Sequence, residues 1–365
     1  MSRTRRYLLH PRGAFHFGER GVGIEETAEL LHSDTLFAAL VSAWRMLGAQ
    51  AGQDDLNMSL LTPFIERRPP LRISSALPFA GPVQLFPRPL LPLGIEKALK
   101  EVRYVSAGAL TLIAQGARLT RERAEREFIQ GGQVWVLAEE RELIATMLLE
   151  SERDPQRRAT LATLWAREPA RIKLWWAGDE LVPHVSVDRR SAMANLFHTG
   201  RLRFAHGCGL AFWVVSDDDT YLTQLEAGLD FLQHEGLGGK RSAGYGQFTW
   251  QASDEVLPVA EAPNYHLTLS LYTPHPDEYG LLRDAWYRRM LRQGWIFSPE
   301  GRSMRRRGIW MLREGTVLPA DPLGAMEDVQ PEVGFAHPIW RYGYALTLPL
   351  RLEVLPDRAR PEDLA

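Results

Sequence analysis

Cysteine is almost absent from this chain of 365 residues, since Cys208 is the only one. A single thiol excludes an internal disulfide framework and a cysteine-rich zinc site, and it suits a reducing compartment. The basic N-terminus is not followed by the apolar stretch of a signal peptide, and no apolar run is long enough to span a membrane. We therefore expect a cytoplasmic protein that has no membrane partner and needs no metal or cofactor.

Lysine is also scarce: it occurs only at positions 97, 100, 173 and 240, so nearly all of the positive charge is arginine. The guanidinium group of arginine forks onto phosphate oxygens and stacks on bases, although a GC-rich genome would produce the same bias. The formal net charge is -2, whereas a free-standing nucleic-acid-binding protein usually has a basic excess. Any nucleic-acid site must therefore be local.

The length and the ordinary apolar fraction predict two domains. The stretch 252–263 is acidic and contains prolines, so we place the boundary there and predict domains over 1–260 and 261–365. In the first domain, a strand leads through an irregular loop to a helix that Ser33 or Asp34 can cap. Prolines then break residues 73–93 into short extended pieces, which suggests an arm that faces a partner or ligand rather than core.

The second domain repeats this plan with alternating apolar residues and turn signals. The predicted elements are a strand over 266–273, a helix over 277–293, a strand over 295–299, a hairpin over 308–318 and a strand over 342–350. This order is that of a ferredoxin-like unit, the layout of the RNA-recognition fold. The predicted fold class is therefore α+β.

A glycine-rich stretch over 236–248 stands out from the rest of the chain. It follows a predicted helix whose leucines at 222, 225, 229 and 232 recur at helical spacing, and Gly236 is placed to end that helix. Five glycines free the backbone, and Lys240 and Arg241 add positive charge, which suits a phosphate backbone. The alternative is a plain helix-to-strand connection with two solvated cations.

This stretch fits no common nucleotide-binding motif. A P-loop would need glycine at the position of His234, and Ser or Thr where Arg241 follows Lys240. The dinucleotide fingerprint also fails, because Arg241 stands where its third glycine belongs. A second basic segment, Asp188, Arg189 and Arg190, follows an alternating strand, and it is either a backbone-tracking element or the solvated tip of a hairpin.

Several of these segments together resemble the RAMP superfamily of CRISPR effector proteins. The resemblance rests on the glycine-rich stretch, on the pair Gly18 and Glu19, and on the helix start over 33–40. Within the superfamily, the segments 311–318 and 337–344 are most similar to the type III-A (Csm) subunit that caps the five-prime end of the guide RNA. The resemblance spans nearly the whole chain.

The resemblance implies two ferredoxin-like (RRM-like) domains with antiparallel sheets and helical and hairpin insertions. It also implies that the glycine-rich stretch holds the repeat-derived five-prime handle of the guide RNA (crRNA), and that Tyr245 stacks on a base. The segment at Asp188 would lead into a thumb-like hairpin that wedges between guide nucleotides. The implied RNA-binding residues are Gly236, Gly238, Gly239, Lys240, Arg241, Ser242, Gly244, Tyr245, Gly246, Asp188, Arg189 and Arg190.

The implied partners are the guide RNA, a large polymerase-like signalling subunit and a RAMP backbone subunit, in a hetero-oligomeric ribonucleoprotein. Some RAMP relatives cleave RNA with a histidine, and here His16 and His32 flank the early loop. The sequence has no HExxH run and no nucleophilic serine elbow, so we expect no enzyme. The alternatives are a metal-independent repeat endoribonuclease, the equivalent subunit of a type III-B complex, and a protein-interaction scaffold.

Overall fold

A computed structural model describes residues 3–18, 27–50, 56–92, 101–117, 121–187, 194–254, 257–297, 304–335 and 337–354. Within these residues the chain is a mixed α+β fold, as predicted. The helices are α1 (Ser33–Gln50), α2 (Leu56–Ile65), α3 (Ala107–Ala114), α4 (Arg121–Glu127), α5 (Ala138–Ser151), α6 (Pro155–Arg167) and α7 (Asp219–Glu235). None of the helices in the described part of the chain is both long and apolar enough to cross a bilayer.

The strands fall into one large sheet and several small ones. The N-terminal strands are β1 (Arg3–Pro11), β2 (Leu71–Ile73), β3 (Leu77–Ala80), β4 (Val83–Pro87), β5 (Tyr104–Ser106), β6 (Phe128–Ile129), β7 (Val134–Trp135), β8 (Trp175–Val187), β9 (Ala194–Phe204), β10 (Cys208–Ser216) and β11 (Phe248–Ser253). The C-terminal strands are β12 (Tyr265–Thr268), β13 (Arg289–Arg292), β14 (Ile309–Leu312), β15 (Val317–Leu318), β16 (Glu327–Asp328), β17 (Trp340–Arg341) and β18 (Thr347–Leu350).

The large sheet runs in the order β11-β1-β10-β3-β4-β5-β7-β6, with β2 also paired to β10. Its pairs are antiparallel except β5 with β7. Tyr7 of β1 lies opposite Phe212 of β10 and stacks on it. Almost every residue of β10 is buried, which explains why this strand reads as a continuous apolar run.

The helices α1 and α7, both of which the sequence predicts as helices, pack against each other. Leu225 and Leu229 of α7 are fully buried. Gly228 lets the two helices approach, because a Cβ there would lie 3.2 Å from Leu40 and 3.3 Å from the indole nitrogen of Trp44. That nitrogen donates a hydrogen bond of 2.7 Å to the carbonyl of Gln224.

The C-terminal strands share a core with the N-terminal part. Leu267 and Leu269 belong to the same cluster of buried side chains as α1. Tyr342 stacks on Phe37 with ring centroids 4.6 Å apart, and its hydroxyl accepts a hydrogen bond from the backbone of Ile73. These contacts hold the two parts together. The boundary near residue 260 stays a prediction.

Three expectations for these parts are wrong. The helix predicted over 277–293 is instead a 3-10 segment, Pro276–Asp284, followed by β13. The hairpin predicted over 308–318 does not close on itself, because β14 pairs with β13 while β15 pairs with β12. The residues 73–93 are not an exposed arm either, since β3 and β4 are buried central strands. In each case, pairing with a distant strand overrides the local pattern.

Candidate nucleic-acid interface

The glycine-rich stretch 236–248 forms a tight loop between α7 and β11. Gly236 ends α7 with a positive φ of 88° and donates to the carbonyl of Leu232. The loop is tied to the segment after β1, because Gly239 donates to the carbonyl of His16 at 2.8 Å and Gly246 donates to that of Ala14 at 2.8 Å. It is also closed on itself by a 2.9 Å bond from Leu237 to Gly246.

The glycines allow these close approaches. A Cβ at Gly246 would lie 2.3 Å from the carbonyl oxygen of Leu237, and one at Gly238 would lie 2.5 Å from that of His16. The exception is Gly244, whose Cβ would meet nothing within 4 Å. The amides of Gly236, Gly239 and Gly246 are therefore committed to the protein, and the outward-facing part of the loop consists mainly of side chains.

Lys240, Arg241 and Ser242 form that outward-facing part. Lys240 adopts the left-handed conformation with φ 58° and starts a single 3-10 turn, Arg241–Ala243. The guanidinium carbon of Arg241 lies 4.9 Å above the ring of Phe297, which is a cation–π contact across the loop. Ser242 is exposed and Tyr245 is half-buried. The predicted residues 236–246 are thus brought together in one loop. We call its outward-facing part, residues 240–242, the rim.

The loop forms one wall of a groove of about 720 Å³. The floor is one face of α1, from Thr35 to Met46, and the opposite wall comes from the C-terminal part, from residues 292–297, 305–306 and 341. Trp295 and Phe297 stand on this wall with 53% and 60% of their surface exposed. Arg305 lies over Trp295, with 5.2 Å between its guanidinium carbon and the ring centroid.

Sequence reasoning missed this C-terminal wall. The pair Trp295 and Phe297 was assigned to a strand, and nothing in the spacing shows that two large rings remain exposed. A signal was nonetheless present, because arginines at 305, 306 and 307 follow two aromatic residues within a short segment. Exposed aromatic rings next to cations are typical of surfaces that bind single-stranded nucleic acid.

A buried ion cluster fixes the floor of the groove to its C-terminal wall. Asp34, in the first turn of α1, accepts two hydrogen bonds from Arg292, of 3.0 and 2.9 Å, and a further one from Arg341. Burial alone would raise the pKa of the Asp34 carboxyl, but the charges of Arg292 and Arg341 outweigh it and hold that pKa well below its usual range.

The positive charge of Arg306, at the edge of the same cluster, is destabilised rather than stabilised by its surroundings. Burial, together with the charges of Arg341 and Arg292, lowers the pKa of Arg306 to about 10, although Asp34 partly compensates. A partly desolvated guanidinium beside two others favours an anion. The groove thus places positive charge where its wall and its floor meet.

The two candidate histidines lie in separate cavities. His16 is buried beside the glycine loop, and its Nδ1 donates to the carbonyl of Gly200 at 2.9 Å. The Nδ1 of His32 lies 2.7 Å from Oε1 of Glu314. His32 lines a different cavity, which lies on the other side of the segment 27–35 from the groove. They do not form an acid–base pair. Among the described residues, no group of His, Cys, Asp and Glu side chains could hold a metal ion.

Asp188, Arg189 and Arg190 lie outside the described residues. The strands on either side of them, β8 and β9, pair as an antiparallel hairpin from Trp175 with Phe204 up to Val187 with Ala194. At its base, Leu202 forms a bridge with Phe15, next to His16. The hairpin therefore starts beside the groove.

The C-terminal part matches a known family: residues 261–350 fit the one described as the CRISPR Csm4 C-terminal domain. The chain is also similar to the CRISPR system Cms protein Csm4 of Methanocaldococcus jannaschii. The two are 23% identical over 355 residues, covering 89% of this chain and 88% of that protein.

Two solved structures share the fold. A chain in the crystal structure of the Csm3–Csm4 subcomplex of the type III-A CRISPR-Cas interference complex matches with a TM-score of 0.66 and 18% identity, covering 95% of this chain and 99% of that one. A chain in the crystal structure of the Csm1–Csm4 cassette in complex with cA4 matches with a TM-score of 0.52 and 16% identity, covering 98% and 100%. At these identities the likeness establishes the fold alone.

Proposed function

Because this chain belongs to the Csm4 family, we propose that it is the non-catalytic RNA-binding subunit of a type III-A CRISPR effector complex in antiviral defence. It acts in the cytoplasm, where it caps the repeat-derived five-prime handle of the guide RNA. It also joins the large signalling subunit to the backbone subunits of the complex.

The observation that carries this proposal is the groove between the glycine loop and the C-terminal aromatic wall. Lys240, Arg241 and Arg305 supply positive charge along it, and Trp295 and Phe297 supply exposed rings. Proteins that bind single-stranded RNA combine these two features, since phosphates pair with cations while unpaired bases stack on aromatic faces. A strand laid in the groove would meet both walls at once.

The partners are proposed from the relatives. A Csm4 chain forms a subcomplex with Csm3 in one of the matching structures and a cassette with Csm1 in the other. We extend both contacts to this chain, with Csm3 as the backbone subunit and Csm1 as the large signalling subunit. A net charge of -2 is compatible with this role, because a subunit enclosed by two proteins needs a basic surface only where the RNA lies.

The separation of His16 from His32 supports a holding role rather than a cutting one. General acid–base cleavage of RNA needs a proton acceptor and a proton donor on either side of the scissile phosphate. His32 is committed to Glu314 inside the protein, whereas His16 is the histidine that lines the groove among the described residues. The two histidines therefore cannot act together on one phosphate of a strand bound in the groove.

The test is binding of the full chain to a short guide RNA, with and without the handle sequence, over a series of salt concentrations. We expect Lys240→Ala with Arg241→Ala to weaken binding at least tenfold. The same variant should reduce the slope of log affinity against log salt by about 1.4, because each phosphate contact on a single strand contributes about 0.7. The matched control is Arg153→Ala with Arg157→Ala, which removes two exposed charges from the region around α6.

Equal binding by the loop variant and the control would overturn the proposed interface. Equal binding of RNA with and without the handle would overturn handle recognition while leaving RNA binding in place. Cleavage of a repeat hairpin without divalent ions, lost in His16→Ala, would instead identify the protein as an endoribonuclease.

A further inference from the structure

A second cavity, of about 860 Å³, lies on the other side of the segment 27–35 from the groove. We call it the arginine recess. Its charged lining residues are Glu29, His32, Arg88, Glu101, Arg103, Arg288, Arg313 and Glu314. It shares no lining residue with the groove. A ligand in the recess would therefore be independent of the proposed function.

The recess is built from two cross-strand pairs of arginines. Beyond β4 and β5, the backbone of Arg88 donates to the carbonyl of Arg103 at 2.9 Å, so these two residues lie opposite each other. Beyond β13 and β14, the backbone of Arg313 donates to that of Arg288 at 3.0 Å, which repeats the arrangement. Like charges directly opposite each other on paired strands destabilise the pairing.

The fold then brings the two pairs together. Leu90 donates to the carbonyl of Gly315 at 2.9 Å, and a Cβ on Gly315 would lie 2.5 Å from the carbonyl oxygen of Arg88. Only glycine, here at φ 89°, permits this contact between the two parts of the chain. The close approach sets Arg88 within electrostatic range of Arg288, and burial together with that charge lowers the pKa of Arg88.

The carboxylates of the recess do not neutralise this charge. Glu29 pairs with Arg103 at 3.1 Å, and Glu314 is occupied by His32 and Ser75. Glu101 is exposed at the rim. Within the described part of the chain, Arg88, Arg288 and Arg313 form no hydrogen bond or ion pair with a carboxylate. Three guanidinium groups therefore face one cavity without a paired carboxylate, although the charge of Arg313 also acts on Glu314 and helps to lower its pKa.

We propose that the arginine recess binds a phosphate-bearing ligand of nucleotide size, either a free nucleotide or one nucleotide of an RNA strand. The guanidinium fork matches the oxygens of a phosphate group, and an anion among the three arginines removes the repulsion between the strand pairs. The volume lies within the range of about 300–1,000 Å³ that is usual for small-ligand sites. Leu30, Leu90 and Tyr104 add apolar surface for the base or sugar.

The test is thermal unfolding of the full chain with ATP, with an eight-nucleotide single-stranded RNA and with a hexaglutamate peptide. The variant is Arg88→Gln with Arg288→Gln, which takes one arginine from each pair. The control, Arg153→Gln with Arg157→Gln, has the same change in charge far from the recess. All proteins carry Lys240→Ala and Arg241→Ala as well, so that RNA binding in the groove contributes little.

We expect ATP or the RNA to raise the melting temperature of the control by several degrees, and the rise to disappear in the recess variant. Without ligand, the recess variant should be at least as stable as the control, because it has lost a repulsion. A purely structural role for these arginines would give the opposite result. Should the double variant fold poorly, Arg288→Gln alone, at an exposed position, should still reduce the ligand effect at least fivefold.

The ligands separate the two sources. Stabilisation by ATP identifies a free nucleotide as sufficient, whereas stabilisation by RNA alone identifies a strand. The proposal is overturned if neither ligand stabilises the protein, or if the recess variant keeps the full effect. It is also overturned if only a hexaglutamate peptide stabilises the protein, since the recess would then be a contact for an acidic protein segment.

Discussion

The groove and the arginine recess flank the same segment, 27–35, and both take arginines from the C-terminal part, but they treat them differently. In the groove, Arg292 and Arg341 share the carboxylate of the buried Asp34, and Arg241 and Arg305 lie over aromatic rings. In the recess, arginines oppose one another across two strand pairs, and Arg88, Arg288 and Arg313 form no ion pair with a carboxylate of the described residues. Although the net charge of the chain is close to zero, one surface is therefore organised for contact with a strand, and another holds arginines without a paired carboxylate.

The largest expected effect breaks the charge balance of the groove. Replacing Asp34 by Asn should destabilise the protein by about 3–5 kcal/mol, because two buried arginines lose their counter-charge. Chemical denaturation at neutral pH measures this change in the free energy of unfolding.

The matched control is Asp219→Asn, which removes an ion pair between Arg3 and an aspartate whose side chain is 81% exposed. That change should stay within about 1 kcal/mol. Similar losses in the two variants would mean that Asp34 does not organise the groove.

The next effect concerns Glu314, the carboxylate of the recess that pairs with His32. Burial alone would raise the pKa of Glu314. The charge and the hydrogen bond of His32 outweigh burial and hold this pKa at about 2, below its ordinary 4.5. A depressed pKa contributes stability that is present above pH 4.5 and is lost as the pH falls toward 2. Glu314→Gln should therefore flatten the fall of the melting temperature across this window.

The effect of Glu314 on the free energy of unfolding is expected to be on the order of 3 kcal/mol. Glu142→Gln is the control, since its side chain is 62% exposed on α5 and should leave the pH profile unchanged. An unaltered profile in Glu314→Gln would show that the pair with His32 does not shift this titration.

How far the sequence predicts these two regions depends on where each contact comes from. The helices α1 and α7 were predicted because their leucine stripes lie within one segment, and the glycine loop was found because its composition is local. The helix expected over 277–293 failed because the backbone of Trp286 pairs with Val317 and that of Arg289 with Leu312, neither of which spacing can reveal. Pro78 was taken as a strand breaker, yet it pairs with Leu210 inside the large sheet.

The same distinction between local and distant contacts decides how much of the two sites could be predicted. One wall of the groove, Lys240 and Arg241, could be predicted, whereas the other, Trp295 and Phe297, is brought there by packing between the two parts of the chain. The recess could not be predicted at all. Its arginine pairs exist only through strand register, and their meeting depends on the contact of Gly315 with Arg88.

A smaller effect sharpens the role of the aromatic wall. Trp295→Ala should weaken RNA binding by about 1–3 kcal/mol if a base stacks on the ring. The salt slope should not change, because stacking releases no counter-ions, and this separates the aromatic wall from the cationic loop. Fluorescence titration with guide RNA at several salt concentrations measures both quantities.

Trp310→Ala is the natural control for the aromatic wall. Trp310 is 58% exposed and lies beneath Arg289 at 5.4 Å, but it does not line the groove. It should leave RNA affinity unchanged. If both tryptophan variants lose affinity equally, the groove does not define the path of the strand.

The smallest effect distinguishes the two kinds of glycine in the loop. Both Gly244 and Gly246 have a positive φ, of 82° and 87°, so alanine at either position should cost about 1–2 kcal/mol of folding free energy from the left-handed backbone alone. At Gly246 the added methyl group also meets the carbonyl of Leu237, so the loss there should be clearly larger and should distort the rim. At Gly244 the methyl group meets nothing, and RNA binding should be preserved. The close contact at Gly246 sets the shape of the rim. If alanine caused equal losses of stability and affinity at both positions, that shape would not be what presents Lys240 and Arg241 to the strand.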